Sequence, residues 1–202
     1  MRVHYPDTMT MREARKLYFQ ANGFGDNGGY DDAWVDFKLG PIPMPFPNTK
    51  GRVKAVRFHD LHHVLTGYDT NIVGEFEISA WEVAAGCKGM LAAWWLNLGG
   101  MAGGLFRSPK RTFAAFVRGR RAKTTYGEAL DEMLDLTVAE ARARFVPNEE
   151  EEATFSDVLL FAIVGGIGLG VGLVSFAFVL PLVPFGLLSH AMRRRASASP
   201  TT

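Results

Sequence analysis

The feature that most constrains this chain is a long uncharged stretch near its end. From Val158 to Ser189 there is no charged residue, shortly after an acidic run from Glu149 to Glu152. That length exceeds the ~20 residues that an α-helix needs to cross a bilayer. The rest of the 202-residue chain offers little protein to bury so much apolar surface. We therefore predict a membrane segment over residues 155–192 and a basic polar tail over residues 193–202.

The sequence is compatible with more than one arrangement of this segment. Arg193 to Arg195 follow it directly and favour a cytoplasmic C-terminus. A hairpin with two arms of about equal length would return the chain to the side of its soluble domain, whereas a single span would not. Pro181 and Pro184 interrupt the second half of the segment. Each arm would be short for a full crossing, so an interfacial hairpin is a third form. Gly166 and Gly170 stand at the GxxxG spacing that permits close packing, which allows a homo-oligomer.

The composition of the remainder narrows the class of protein. Lys and Arg total 22 against 21 for Asp and Glu, so we expect no binding to nucleic acid. Cys87 is the only cysteine, which excludes an internal disulfide and a multi-cysteine metal site and is typical of a reducing compartment. Residues 1–19 have no continuous apolar core, so we expect no signal peptide and a soluble domain that faces the cytoplasm.

Residue spacing predicts one compact all-α domain over residues 1–150. Apolar residues recur with helical period over about 10–22, 52–67 and 72–97, and Gly99, Gly100, Gly103 and Gly104 are expected to loosen or end the third helix. Prolines predict an extended strap over residues 34–50. Thr137 and Glu140 have the spacing of a capping box before another short helix.

The segment RFHDLHHVLTGYDT carries the candidate metal site. His59 and His63 are four residues apart, so they lie one turn apart on the same face of a helix. Asp60 stands at the edge of that face, and Glu75 follows where the next helix begins. Two imidazoles and two carboxylates suit zinc best, and iron or manganese also. His62 points away from His63, and we expect a surface residue or one that holds a carboxylate ligand in place.

Two other metal-dependent classes share parts of this pattern. A zinc peptidase helix requires Glu immediately after the first His, where this chain has Asp60. A His-Asp phosphohydrolase needs a further upstream His and a distant Asp, and only His4 precedes the motif. The phosphohydrolase is kept as a weak alternative.

The motif HDLHH with Glu75, written HDxxH-x11-E, resembles the signature of the coenzyme Q (ubiquinone) biosynthesis protein 4 family. The blocks FVRGRRAK (116–123) and LDLTVAEARARF (134–145) are similar to the end of that family's domain, so the resemblance covers about residues 10–147. It implies an all-helical, membrane-peripheral metal protein whose ligands fall on His59, Asp60, His63 and Glu75. The hydrophobic C-terminal segment departs from the usual members.

The resemblance implies two functions for the chain. One is a metal-dependent lyase that removes the carboxyl group at carbon 1 of a polyprenylated hydroxybenzoate-type head group, coupled to hydroxylation there. The other is a non-catalytic, lipid-binding scaffold that organises other ubiquinone-synthesis enzymes, with the metal serving structure. The prenyl tail would lie along an apolar stripe that could equally be core. Its members are Met90, Leu91, Trp94, Trp95 and Leu98. We assign no catalytic role to the basic cluster Arg118, Arg120, Arg121 and Lys123, which suits anionic lipid or solvent.

Overall fold

Helices make up most of the protein, which confirms the all-α prediction. The computed structural model describes residues 3–35, 38–39, 42–43, 45–146 and 152–198. A 3-10 turn, Leu180–Leu182, joins the last two helices. The helices are α1 (Met11–Asn22), α2 (Lys50–Thr66), α3 (Ile72–Ala85), α4 (Leu91–Arg107), α5 (Pro109–Arg120), α6 (Leu130–Asp135), α7 (Val138–Phe145), α8 (Phe155–Val179) and α9 (Val183–Ala198).

Local capping residues set several helix ends. Thr10 caps α1 and shares a reciprocal capping box with Glu13, and Thr137 and Glu140 do the same for α7. The two caps also lie side by side, since Thr10 and Thr137 form an antiparallel bridge. The helix predicted over residues 10–22 and the predicted capping box are therefore confirmed, and the pairing joins the first helix to the last short one of the domain.

The predicted strap is extended and folds back on itself. Strand β1 (Trp34–Val35) pairs antiparallel with β4 (Phe46–Pro47), and β2 (Lys38–Leu39) pairs with β3 (Ile42–Pro43). α2 then begins at Thr49, whose side chain accepts a hydrogen bond from the Arg52 amide. The helix ends at Gly67, which adopts a left-handed conformation with a φ of 73° that favours glycine.

The helix predicted over residues 72–97 is interrupted, and this part of the prediction is wrong. α3 ends at Ala85 and α4 begins at Leu91. The intervening residues include Gly86 with a φ of 93° and Lys88 with a φ of 43°, conformations that no α-helix contains. The chain therefore turns here and sends α4 back along α3.

The glycines of residues 99–104 do not end a helix, which is a second correction. All lie inside α4, where Gly100, Gly103 and Gly104 permit close approach of neighbouring helices, whereas Gly99 faces open space. A Cβ atom on Gly100 would collide with Ser79 of α3, and one on Gly104 would collide with Thr112 of α5. α3 is thus enclosed between α4 and α5, and the core around it is fully buried. The largest members of that core are Trp81, Phe116, Met11, Leu61, Met101, Met133 and Leu134.

The C-terminal segment is one continuous helical run rather than a hairpin. From Phe155 to Leu188 it is long and apolar enough to cross a membrane, by length and composition. The backbone at Val179, Leu180 and Val183 stays in the right-handed helical region. Pro181 therefore occupies the first turn of a new helical segment, where its missing N–H costs little, and does not reverse the chain.

Candidate metal centre

Three of the four predicted ligands converge where α2 and α3 meet. The Nε2 atoms of His59 and His63 are 3.2 Å apart. The Glu75 carboxylate completes the group, with Oε2 3.4 Å from His59 Nε2 and Oε1 3.3 Å from His63 Nε2. All ligand atoms lie within 4.8 Å of one another. This arrangement arises because the two imidazoles are one helical turn apart and the short loop after Gly67 returns the chain to place Glu75 in the first turn of α3.

Second hydrogen bonds orient both imidazole rings. The Nδ1 of His63 lies 3.0 Å from the backbone carbonyl of Tyr68, which can only accept, so Nδ1 carries the proton. The Nδ1 of His59 lies 2.8 Å from Oε1 of Glu82 and donates to that carboxylate. With each Nδ1 held by an outer acceptor, the Nε2 atom of each ring faces the other ring and Glu75, where a bound cation would take the place of any proton on it. Metal-binding histidines in proteins are typically held by such outer acceptors.

The donor set fits a divalent transition metal. Two imidazole nitrogens and one carboxylate, with outer acceptors for both rings, are ligands that zinc, iron and manganese accept. The remaining coordination positions can face solvent, because the Glu75 side chain is 41% exposed. The three residues His59, His63 and Glu75 could therefore hold one cation at the protein surface with room for a further ligand.

Asp60, the fourth predicted ligand, is not a member of this converging group. The next position along an α-helix is rotated by about 100°, so its carboxylate points away from the imidazole pair. It is buried, and its Oδ2 accepts a hydrogen bond of 2.5 Å from the Tyr30 hydroxyl. Burial raises the pKa of Asp60 above its usual value. Asp60 lies beside the candidate site and ties it to the segment before the strap.

Glu82 is the residue that the sequence interpretation missed. Its fully buried carboxylate accepts hydrogen bonds from four side chains of three different segments, a set that we call the Glu82 network. Its donors are His59 Nδ1 (2.8 Å), His62 Nδ1 (2.7 Å), Tyr126 Oη (2.6 Å) and Asn97 Nδ2. A signal existed: Glu82 follows Glu75 by seven residues, two helical turns, so both face α2.

His62 is buried, so the surface role considered for it is wrong. Its Nε2 accepts a hydrogen bond of 2.9 Å from the backbone N–H of Thr125, so this nitrogen carries no proton. Its Nδ1 therefore donates to Glu82. Burial lowers the pKa of His62 below its usual value, which favours this neutral ring. The carboxylate that it holds in place is that of Glu82 rather than a metal ligand.

The charges of the centre favour cation binding. Burial disfavours a charged His59, yet the carboxylates of Glu82 and Glu75 raise its pKa well above the usual range. The surrounding protein removes part of the water from Glu75 and opposes its ionisation, although 41% of its side chain stays exposed, but the imidazoles of His63 and His59 lower its pKa to about 2. For Glu82 the same competition leaves the pKa well below its usual value. The two acids are thus ionised at neutral pH, and they attract positive charge to the space between the rings.

A cavity of about 310 Å³ opens beside the His63 ring. Tyr18 stacks on this ring with a centroid distance of 5.5 Å, and Tyr68 lines the same cavity. Further lining groups are the polar side chains of Asn22 and Asn71. The cavity could therefore admit a small aromatic or polar group up to the edge of the candidate centre.

The stripe considered for a prenyl tail is divided between core and surface. Trp94 and Leu98 pack against the core, and the Trp94 indole N–H donates to the Lys88 carbonyl at 3.1 Å. Leu91 and Trp95 are 83% and 44% exposed. Trp94 and Leu98 of this stripe therefore belong to the core, and Leu91 and Trp95 form an apolar surface.

Most of the basic cluster has structural contacts. Arg118 donates to the Thr66 carbonyl at 3.0 Å and lies over the Tyr68 ring. Arg120 and Arg121 form ion pairs with Asp157 at 3.2 and 2.8 Å. These contacts join α5 to the end of α2 and to the start of α8, so these three arginines have a role in holding helices together.

Comparisons with known proteins add no family. No protein-family model matches the chain, and no curated protein or solved structure is significantly similar to it.

Proposed function

We propose that this chain is a membrane-associated, metal-dependent protein of ubiquinone (coenzyme Q) biosynthesis that acts at carbon 1 of a polyprenylated hydroxybenzoate-type head group. The observation that carries the proposal is the convergence of His59, His63 and Glu75 with both outer nitrogens already committed to acceptors. The motif resemblance supplies the substrate class. The long apolar C-terminal helix supports access to a lipid-tailed substrate.

In this proposal the residues of the centre bind and orient. A divalent cation, zinc being our choice, supplies Lewis-acid chemistry toward the phenolic and carboxylate oxygens of the substrate. His59, His63 and Glu75 hold it, and Glu82 fixes the His59 ring. The aromatic ring of the substrate enters the cavity beside Tyr18 and His63. Loss of carbon dioxide leaves its bonding electron pair on carbon 1, and the coupled hydroxylation there requires an external two-electron oxidant of the dioxygen class.

A scaffold that binds prenylated intermediates without catalysis is the second candidate. The observation that favours it is the Glu82 network, which places the centre at a junction of α2, α3, α4 and the loop around Tyr126. A metal bound at such a junction can stabilise the folded state. Glu75→Ala distinguishes the two candidates: a folded protein without decarboxylation supports the enzyme, whereas an unfolded protein supports the scaffold.

The proposal is tested by elemental analysis of the full chain purified in mild detergent, together with mass spectrometry of co-purifying lipids. We expect about one metal ion per chain in the parent, loss of metal in His63→Ala, and a retained prenylated phenol. His4→Ala is the control, because His4 lies outside the centre on an exposed position. A folded parent without metal would refute the site. A metal-loaded parent that neither retains a prenylated phenol nor decarboxylates a prenylated hydroxybenzoate would refute the substrate class.

A further inference from the structure

The C-terminal helical run has a less exposed side, and it contacts the domain at its start, near its middle and near its end. Between Phe155 and Leu188 the buried and half-buried positions recur every three to four residues, from Asp157 through Gly168 to Gly186. The positions between them are exposed. A helix that left the domain to cross a bilayer would lose such contacts over the ~20 residues of the crossing. This helix instead has an inner and an outer face from beginning to end.

The inner face is attached firmly at its start. Asp157 is 1% exposed and pairs with Arg120 and Arg121 of α5. One turn further, Phe161 packs edge-on against Phe116, with a centroid distance of 5.4 Å. The beginning of α8 is therefore part of the folded domain.

Two glycines mark contacts further along the helix. A Cβ atom on Gly168 would lie 2.6 Å from the Leu98 carbonyl oxygen of α4. Eighteen residues later, a Cβ atom on Gly186 would collide with Pro45, beside Trp34, in the strap. At a rise of ~1.5 Å per residue, these contacts are about 27 Å apart along the helix axis. The domain thus extends along the helix for nearly the ~30 Å thickness of the hydrocarbon layer.

A perpendicular orientation in the bilayer conflicts with this length. If the helix stood along the membrane normal, α4 and the strap would be carried through the hydrocarbon beside it. Beside the strap, the Asn48 amide donates to the Asp32 carbonyl, and Asp31 and Asp32 are exposed, so their charged side chains would then meet hydrocarbon at a high cost. An orientation in the membrane plane keeps them at the aqueous side.

The outer face has the composition of a lipid contact. From Val158 to Leu188 it is apolar or glycine, along about 45 Å, and Leu173, Phe178 and Phe185 are 74%, 72% and 65% exposed. Protein interfaces carry a polar rim and hydrogen bonds, which this face lacks among the described residues. In the sequence, Arg193 to Arg195 follow the apolar run and suit anionic head groups.

We propose that α8 and α9 lie in the plane of the membrane, with their outer face in the acyl region of one leaflet and without crossing the bilayer. The domain then sits on that leaflet, held by a helix that remains attached to it. This inference is independent of the metal and of the substrate.

The test measures the depth of three positions on the outer face. Ile163→Cys, Val174→Cys and Phe185→Cys are each made in a Cys87→Ser background, since Cys87 is buried and not needed for labelling. Each labelled full-length chain is bound to vesicles of phosphatidylcholine and phosphatidylglycerol that contain a lipid nitroxide placed near the head group or near the acyl terminus. We expect all three probes to report the same shallow depth.

A crossing helix gives a different pattern, because Ile163 and Phe185 are about 33 Å apart along the axis. The Val174 probe would then be deepest and the other two near opposite surfaces, which would overturn the proposal. A third result would also overturn the proposal: no lipid quencher reaches the probes, and their fluorescence depends on protein concentration. That result would show that the outer face binds a second copy of the chain. Ser175→Cys on the inner face is the matched control and should stay unquenched. A variant that loses its helical circular dichroism is replaced by the outer-face change Ile167→Cys.

Discussion

The buried carboxylate of Glu82 offers the sharpest test of how the centre is built. Glu82→Gln keeps the shape of the side chain but replaces one acceptor oxygen by an NH2 group. Oε1 accepts from His59 and His62, and Oε2 accepts from Tyr126 and Asn97. Whichever oxygen is replaced, two donors lose their acceptor in a fully buried position.

The expected cost follows from these lost bonds. Each buried donor left unpaired costs ~1–3 kcal/mol, and breaking one side of a buried charged pair typically costs ~3–5 kcal/mol. We therefore expect Glu82→Gln to lower the free energy of unfolding by about 3–5 kcal/mol. That is a large part of the ~5–15 kcal/mol that stabilises an ordinary domain.

The assay is urea unfolding in mild detergent with a chelator present, followed by circular dichroism at a helical wavelength. Glu77→Gln is the matched control, because Glu77 lies on the same helix and makes one bidentate ion pair, to an Arg111 whose side chain is 58% exposed. Glu77 is itself 7% exposed, but the amide stays neutral and Arg111 regains water, so we expect a smaller loss of about 1–2 kcal/mol. Equal losses in the two variants would refute the argument that Glu82 organises the centre.

Three further predictions follow from neighbouring contacts. Asp60→Asn should keep its bound metal while His63→Ala loses it, because His63 belongs to the group around Glu75 and Asp60 does not. Elemental analysis measures the bound metal, and metal loss in both variants would restore Asp60 as a ligand. Gly168→Ala should lower the free energy of unfolding by about 1–3 kcal/mol, because the added Cβ would meet a backbone carbonyl oxygen. Gly166→Ala is its control: the added Cβ would meet no atom within 4 Å, so thermal unfolding should show no loss or a gain in stability. Tyr30→Phe should lower the free energy of unfolding by about 1–3 kcal/mol, since a buried carboxylate loses its donor; an unchanged urea midpoint would contradict this.

Features encoded by neighbouring residues were predictable from the sequence. The caps at Thr10, Thr137 and Gly67 act through hydrogen bonds within a few residues, so their residue types alone indicate helix ends. The pairing of His59 with His63 follows from helical geometry in the same way. These local rules account for the helical fold and for two members of the centre, His59 and His63.

Features that depend on which helices meet were not predictable in this way. The glycines of α4 look like a helix end until Ser79 and Thr112 are found against them, because a glycine does not indicate what approaches it. Glu82 gains its role only when α2 and the loop around Tyr126 surround it. Asp60 adjoins a ligand in sequence but, one step around the helix, faces Tyr30 instead.

The glycines of α4 also set a distance. Gly100 lies against α3, which carries Glu75, and the other side of α4 receives Gly168 of the apolar helix α8. α4 therefore lies between α3, which carries Glu75, and α8. With ~8–10 Å between packed helix axes, the axes of α3 and α8 are no more than about 20 Å apart. If α8 contacts lipid and the centre binds a prenylated head group, as we propose, the tail must pass α3 and α4 before it reaches lipid, so the thickness of these two helices sets the shortest tail that can stay in the membrane during binding.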